Sequence, residues 1–417
     1  MTAGTDPAPV AAVVINPAKP AATRAVRQAL GDALVEAGYR TVWLETSARE
    51  TGATQARLAV ASGAGLVVAA GGDGTVRSVA AGLAGTGVDM GIMPLGTANL
   101  AARNLGLPLR RQTELARIAA AGRTTPTDLV WVRTEAAGHT GPLPATGAAV
   151  RGATADGTDG ADNRGDIDSI AEPPQGWARP TLGNEHACLV VAGIGFDAGL
   201  VASTRPALKE RLSWGAYGLA ALENLGRRRM DLVLGVEGGT MAAVAEVSER
   251  AVGGAAVSGA LGAASSSPDG DARADAGGNH PDRVIAVVPE PPPAPPRPPR
   301  TERMTARTLL IANGGRLPAG VTLLPEARLD DGLLDVAAID TLHGLWGWAS
   351  LARQVLPPRP ASYSTRGAAQ VLLRRGREVT VWLDLPTAVE IDGDLVAPTR
   401  GVRARVQPGA LRVRCPA

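Results

Sequence analysis

The sequence predicts an α/β domain over residues 10–134 followed by a β-rich domain over residues 184–404. Three observations carry this. From Val10 to about Thr134, short apolar or β-branched runs alternate with Ala-rich helical stretches, as βαβ units around a mostly parallel sheet do. Strand-like runs then fill the second half, with one helical stretch among them. Two segments, 135–183 and 248–304, are rich in Gly, Ala, Pro and small polar residues without any period, and read as disordered or loosely ordered insertions. The second ends in a polyproline tract, read as an extended spacer rather than a recognition peptide. Because loop-closure cost grows only logarithmically with length, such insertions need not disturb a core.

In the first domain, Val10–Asn16 reads as a buried strand, Ala22–Ala37 as a helix, Arg40–Leu44 as a strand and Thr54–Ser62 as a helix. Strand Gly65–Ala70, helix Thr75 to about Leu83, strand Asp89–Met93 and a helix from about Asn99 follow. In the second half the strand-like runs are His186–Ala192, Met230–Glu237, Met241–Val247, Ala306–Ala312, Leu333–Ile339, Val371–Leu373, Val379–Leu383, Ala388–Ile391 and Leu411–Val413, with a helical stretch near Leu342–Val355.

Composition excludes several classes. The 417 residues are 45% apolar, enough for a real core, although only 11 are aromatic. With 42 Lys+Arg against 40 Asp+Glu, the net charge of +2 is too balanced for a general nucleic-acid binder, so any polyanion it binds must be small. Two cysteines, Cys188 and Cys415, cannot make a disulfide framework, and four scattered histidines give no zinc spacing. No leader pattern and no run of 18 apolar residues occurs, so a cytoplasmic, non-spanning chain is expected.

The most informative stretch is Gly71-Gly72-Asp73-Gly74-Thr75, between a buried strand and a helix. Consecutive glycines let backbone N–H groups approach a phosphate, and the helix adds the positive end of its dipole. An Asp between such glycines opposes a bare phosphate unless a divalent cation intervenes, which suggests a magnesium nucleotide. A Gly-rich turn with Asp73 as helix N-cap is the alternative. A second loop, Pro94-Leu95-Gly96-Thr97-Ala98-Asn99, again joins a strand to a helix, so two phosphate-type loops define a crevice at adjacent strand ends. Asn16-Pro17-Ala18-Lys19 and Glu45-Thr46 end two further strands. No Gly-x-x-x-x-Gly-Lys-[Ser/Thr] string is present, which excludes a P-loop enzyme.

These motifs, with Gly193-Ile194-Gly195-Phe196-Asp197-Ala198, Pro325-Glu326-Ala327-Arg328-Leu329-Asp330-Asp331-Gly332-Leu333-Leu334-Asp335-Val336 and Glu390-Ile391-Asp392-Gly393-Asp394, resemble in order and spacing the diacylglycerol kinase catalytic-domain family, which includes bacterial lipid kinases and sphingosine kinases. The resemblance implies an α/β N-terminal nucleotide-binding domain plus a C-terminal β-sandwich domain, with the last strand, about 405–417, returning to the first. It implies ATP on the Gly71–Thr75 loop, a site completed by Asn16, Pro17, Ala18, Lys19, Thr46, Thr97 and Asn99, and Asp73 holding Mg²⁺ through water. Asp392 and Asp394 are the implied candidates for the base facing an acceptor hydroxyl, and a structural Mg²⁺ would sit on the backbone oxygens of Arg328 and Leu333 and the carboxylate of Asp331. Two positions depart from the family pattern: Leu100 stands where an acid is usual, and Asp394 replaces a Glu.

The expected function is an ATP- and Mg²⁺-dependent lipid kinase, converting diacylglycerol to phosphatidic acid at the inner face of the cell membrane by peripheral contact, with a homodimer left open. An NAD kinase shares the Gly-Gly-Asp-Gly-Thr loop and is one alternative; a catalytically weak nucleotide- or lipid-binding protein, motivated by Leu100 and Asp394, is another.

Weaker signals have two readings each. Gly193-x-Gly195 reads as a tight turn rather than a dinucleotide fingerprint. Arg205, Lys209, Arg211, Trp214 and Tyr217 suit either an anionic lipid surface or a solvated helix, and Leu342, Leu345, Trp346, Trp348 and Leu351 either a core helix or a bilayer contact. Arg227-Arg228-Arg229 and Arg374-Arg375 read as solvated loop charge, with steering to a negative leaflet as the second reading.

Overall fold

A computed structural model describes residues 8–135, 177–195, 229–238, 300–316, 322, 324–341 and 369–417. The chain divides into two compact units, Met1–Val244 with Pro298–Ala417 and Ala245–Arg297, and every described residue lies in the first. Most of the two low-complexity segments, the strand expected at Met241–Val247, the basic–aromatic stretch 205–217, Arg227-Arg228, Phe196-Asp197-Ala198 and the helix expected at Leu342–Val355 lie outside the described residues.

The elements, in chain order, begin with β1 (Val10–Ile15), α1 (Arg24–Glu36), β2 (Arg40–Glu45), α2 (Ala53–Ala61), β3 (Ala64–Gly71), α3 (Asp73–Leu83), β4 (Asp89–Pro94), α4 (Leu100–Asn104), α5 (Gln112–Ala121) and β5 (Arg123–Thr134). There follow β6 (Glu185–Cys188), β7 (Val191–Gly195), β8 (Met230–Glu237), β9 (Arg300–Ala306), β10 (Thr308–Ala312), β11 (Leu334–Thr341), β12 (Ala369–Gly376), β13 (Glu378–Ile391) and β14 (Asp394–Cys415).

The α/β half forms because β1, β3 and β4 are buried between helices, while β2 is a partly exposed edge strand. β1 and β3 read Val-Ala-Ala-Val-Val-Ile and Ala-Gly-Leu-Val-Val-Ala-Ala-Gly, nearly continuous apolar runs of the kind that parallel strands under helices require. The parallel order is β4-β3-β1-β2. Thr23 caps α1 by accepting from the Val26 amide, and Val26, Leu30, Ala33 and Leu34 supply its buried stripe. In α3 every residue from Thr75 to Leu83 is buried, as suits a helix packed against both α2 and the sheet.

The sheet continues past β4 into the second half through β14, giving among the described residues fourteen strands in the order β12-β11-β10-β7-β13-β14-β4-β3-β1-β2, with β5, β6, β8 and β9 branching from it. Apart from the short parallel contact of β14 with β4 at Arg412↔Asp89 and Val413↔Met90, pairing in this half is antiparallel. Leu309, Ile311, Val336, Ala338, Val379, Val381 and Leu383 share one apolar core with residues of β5 to β8, as the facing layers of a sandwich do. Their neighbours Leu310, Ala312, Ala337 and Ile339 point the other way, into the core of the α/β half.

Several elements differ from the sequence reading. The run His186–Ala192 is two strands, β6 and β7, because residues 189 and 190 leave the ladder to serve a turn described below. Likewise, β9 begins at Arg300, inside the segment read as an insertion, and β13 is continuous across Asp384 and Pro386 through a register shift. Gly193–Gly195 is strand rather than tight turn: Gly195 (φ +89°) ends β7, and a Cβ there would lie 2.6 Å from the Met230 thioether.

Candidate functional site

The site begins where β3 ends. Gly72 caps α3, and the first-turn amides of any helix lack intrahelical partners, so this end of α3 is receptive to an anion. The loop after β4 comes so close that a Cβ on Gly96 would lie 2.8 Å from Gly72 Cα, and only glycine permits that approach. The two loops are also tied by hydrogen bonds. Asp73 accepts from the amides of Asn99 (2.9 Å) and Leu100 (2.6 Å), while the Asn99 side chain accepts from the Gly96 amide and donates to the Gly96 carbonyl. Asn99 takes the left-handed conformation (φ +48°) that makes this geometry possible. Asp73 therefore caps α4 rather than its own helix.

Lys19 leans over the same loop: a Cβ on Gly72 would lie 3.5 Å from its Nζ. Asn16 and Thr46 sit at the adjacent strand ends. The Asn16 amide donates to the Ala70 carbonyl, its side chain accepts from the Ala18 amide, and the Thr46 amide donates to the Ile15 carbonyl. Pro17 and Ala18 are exposed beside them, as is Thr97 on the second loop.

The β13–β14 hairpin turns on Asp392-Gly393, both at positive φ (+49° and +88°), the geometry of a two-residue primed turn that Asp-Gly favours. The structure separates the two carboxylates that the sequence left equivalent. That of Asp392 is buried and accepts from the amides of Leu189 (2.8 Å), Val190 (2.9 Å) and Val191 (3.1 Å), with the Cys188 thiol beside it. It is an internal anchor, engaged by the Leu189–Val191 segment that leads into β7, whereas the sequence had left it a candidate base. Asp394 is half-exposed; its Oδ2 is 2.8 Å from Arg77 Nη2 and would lie 3.0 Å from a Cβ on Gly74, in the first turn of α3.

Arg77 was not anticipated. Buried in α3, its guanidinium donates to the Ile391 carbonyl and to Asp394, joining the glycine loop's helix to the hairpin. A signal existed: Arg77 lies four residues after Asp73, hence on the same face of a helix otherwise made of small and apolar residues. Electrostatics follow from this crowding. Burial, then the nearby Asp392 and Asp394, push Asp73 up to about 6 against the pull of its two amide bonds. Burial also raises Asp392, though Arg77 and three amides oppose it. For Arg77 burial disfavours the charge, but Asp394 and Asp392 outweigh it and hold the guanidinium above its ordinary value. Behind them, burial and then Arg77 lower His186 to about 4.

The Arg328–Leu333 turn has its contacts with β5, β12 and the Gln407–Gly409 part of β14. Asp128 accepts from the Gly332 and Gly409 amides, both at 2.7 Å, and its own amide donates to the Leu329 carbonyl. The resemblance implies a structural Mg²⁺ here, on the backbone oxygens of Arg328 and Leu333 and the carboxylate of Asp331. Asp331 accepts from the Leu333 amide through one oxygen and is paired through the other with Arg375 at 2.6 Å, while the Arg328 side chain is turned to Asp330. Arg374 and Arg375 are thus strand residues in ion pairs, Arg374 with Glu302, and not solvated loop charge.

Fold and site together define an α/β protein with an anion-receptive glycine loop to which a β-sandwich brings a carboxylate. Residues 10–132 match the family model described as diacylglycerol kinase catalytic domain, and residues 299–415 that described as YegS C-terminal NAD kinase beta sandwich-like domain. The chain belongs to the diacylglycerol kinase catalytic-domain family. A "Probable lipid kinase YegS-like" of Pseudomonas putida is 40% identical over 113 residues, 25% of this chain and 36% of that protein. A "Diacylglycerol kinase" of Mycobacterium tuberculosis is 44% identical over 71 residues, 17% of this chain and 23% of that protein. The chain thus aligns with about a third or less of the length of these curated relatives. A solved structure titled as a diacylglycerol kinase from Bacillus anthracis superimposes over 98% of both chains with a TM-score of 0.54 at 13% identity, which places the fold. Among the described residues, no helix is long and apolar enough to cross a membrane.

Proposed function

We propose that this chain is a lipid kinase that transfers the γ-phosphoryl group of MgATP to a lipid hydroxyl, converting diacylglycerol to phosphatidic acid. One observation carries the reading: the half-exposed carboxylate of Asp394 lies against Gly74, in the turn of α3 best placed to receive phosphate. In this reading Lys19, which lies beside Gly72, completes the nucleotide site with Asn16 and Thr46 at neighbouring strand ends and Thr97 on the second loop. Asp392 and Asp394 share one guanidinium, that of Arg77, while Asp73 lies near both carboxylates with two amides and, among the described residues, no cation as its partners, so the cluster is acidic and would accept a divalent cation arriving with the nucleotide, held by Asp73 through water. In the transfer the lipid oxygen bonds to the γ-phosphorus, the bond to the bridging oxygen breaks, ADP leaves with that electron pair, and the hydroxyl proton passes to Asp394. The proton moves late, because phosphoryl transfer depends mainly on positioning and charge neutralisation. The acceptor's residence in a bilayer makes peripheral contact with the membrane's inner face part of the proposal.

The test uses purified protein, [γ-³²P]ATP and a panel of diacylglycerol, monoacylglycerol, ceramide, sphingosine, phosphatidylglycerol and NAD. Label in phosphatidic acid is expected. Label in NADP would instead make the chain a dinucleotide kinase, and nucleotide binding without turnover on any acceptor would make it a binding protein.

A further inference from the structure

We propose that the Asp330–Leu333 turn is closed by the guanidinium of Arg375 in place of a divalent cation, and that this part of the fold takes no metal. A hard divalent ion needs several oxygens converging on one point, and the Asp331 carboxylate is the one side chain among the donors implied for this turn. Both oxygens of Asp331 are committed, Oδ1 to the Leu333 amide and Oδ2 to Arg375 Nη2 at 2.6 Å. Arg375 Nε lies 2.9 Å from Asp335 Oδ1, so a single guanidinium bridges two carboxylates. The backbone imposes this arrangement. Asp335 of β11 and Arg375 of β12 are direct cross-strand partners, and the register between Leu334↔Gly376 and Thr341↔Ala369 carries no shift. Burial makes the cation necessary: the Arg375 and Asp331 side chains are each about one-fifth exposed and that of Asp335 9%. Of the other charges nearby, Arg328 is paired with Asp330 and the Asp128 carboxylate accepts from the Gly332 and Gly409 amides, while the buried Asp335 Oδ2 has no hydrogen-bond partner among the described residues and relies on the adjacent guanidinium. A planar fork that reaches two carboxylates does here what a metal ion does by coordination, and it cannot be chelated away.

The inference does not depend on the lipid-kinase reading, and none of its readouts uses activity. Metal content of the full chain after gel filtration, and thermal unfolding in EDTA, MgCl₂ or CaCl₂ without nucleotide, test it directly. Wild type is expected to carry well under one equivalent of divalent metal and to melt at the same temperature in EDTA and after dialysis back into Mg²⁺. Arg375→Met, which strands two carboxylates, should melt several degrees lower, and Mg²⁺ or Ca²⁺ should restore part of the loss. Arg375→Lys, which keeps a charge without the fork, should fall between them. A stoichiometric metal in wild type that disappears in Asp331→Asn, or a wild-type melting temperature that drops on chelation, overturns the proposal; both measurements hold even if Arg375→Met does not fold.

Discussion

Arg77→Met is the most informative single change at the candidate site. The side chain of Arg77 is 6% exposed and that of its partner Asp394 48%, so the pair is screened on one side only. Alone, a half-exposed pair of this kind is worth about 1 kcal/mol. The larger loss is at Asp392, which is buried and is left without its nearby cation. Removing one partner from a fully buried pair costs roughly 3–5 kcal/mol, and allowing for the exposure of Asp394 gives an expected loss of about 3 kcal/mol near pH 8. The sign of its pH dependence is fixed by two shifts. Asp392 already has a raised pKa, and losing Arg77 raises it further, so its contribution is fully present below the ordinary carboxylate range and lost as pH rises. His186 is lowered to about 4, partly by Arg77, so wild type loses stability as pH falls from about 6.5 toward 4, and the variant loses less. Both effects narrow the gap on acidification. Urea titrations followed by circular dichroism at pH 8 and pH 5 measure it. A difference under about 1 kcal/mol at pH 8, or one that widens at pH 5, would refute the charge balance described for this cluster.

Asp394→Asn should lower turnover by roughly 10²–10⁴-fold while costing only about 1 kcal/mol for the lost Arg77 pair, whereas Asp392→Asn, which turns an amide toward three backbone donors, should destabilise by about 2 kcal/mol with the smaller effect on turnover; urea unfolding alongside the phosphoryl-transfer assay separates them. Gly96→Ala forces the two loops apart and should reduce kcat/KM for ATP by something on the order of 10²-fold, read in steady-state kinetics. Asp73, raised to about 6, contributes stability that is full below about pH 4 and lost as pH rises through about 6. Asp73→Asn should therefore flatten the melting-temperature profile across that window, by about 2 kcal/mol after allowance for partial exposure.

Parts of this molecule were legible in the sequence for physical reasons. The order β1-α1-β2-α2-β3-α3-β4 was readable because strands buried on both faces, as β1 and β3 are, must be continuously apolar, and because β2, at the edge, still carries the β-prone Thr-Val-Trp-Leu run. The glycine loop was readable because close backbone approach leaves no other residue. By contrast, β5 begins with the polar stretch Arg123-Thr-Thr-Pro-Thr-Asp and gave no strand signal until Leu129. Most of β14 was missed because arginines alternate with Val402 and Ala404, and Pro398, Gly401 and Pro408 interrupt it. The unequal surroundings of Asp392 and Asp394 depend on amides such as that of Val190, 202 residues away in the turn before β7, which no local spacing encodes. Arg375 was misread for a related reason: an Arg-Arg pair looks solvated until strand register sets it opposite Asp335.

The long strand β14 has a consequence for biosynthesis. It starts at the candidate site and ends beside β4, and along the way it supplies the partner for most of β5; the Arg414 side chain reaches the Gly122 carbonyl across 292 residues of sequence. On a ribosome, β5 and the outer side of β4 emerge long before the residues that cover them. Until then they are open strand edges, the feature most prone to pair with another chain. The α/β half therefore cannot complete its sheet during its own synthesis, and chains that terminate before β14 should appear in cells as aggregates rather than as a folded N-terminal fragment.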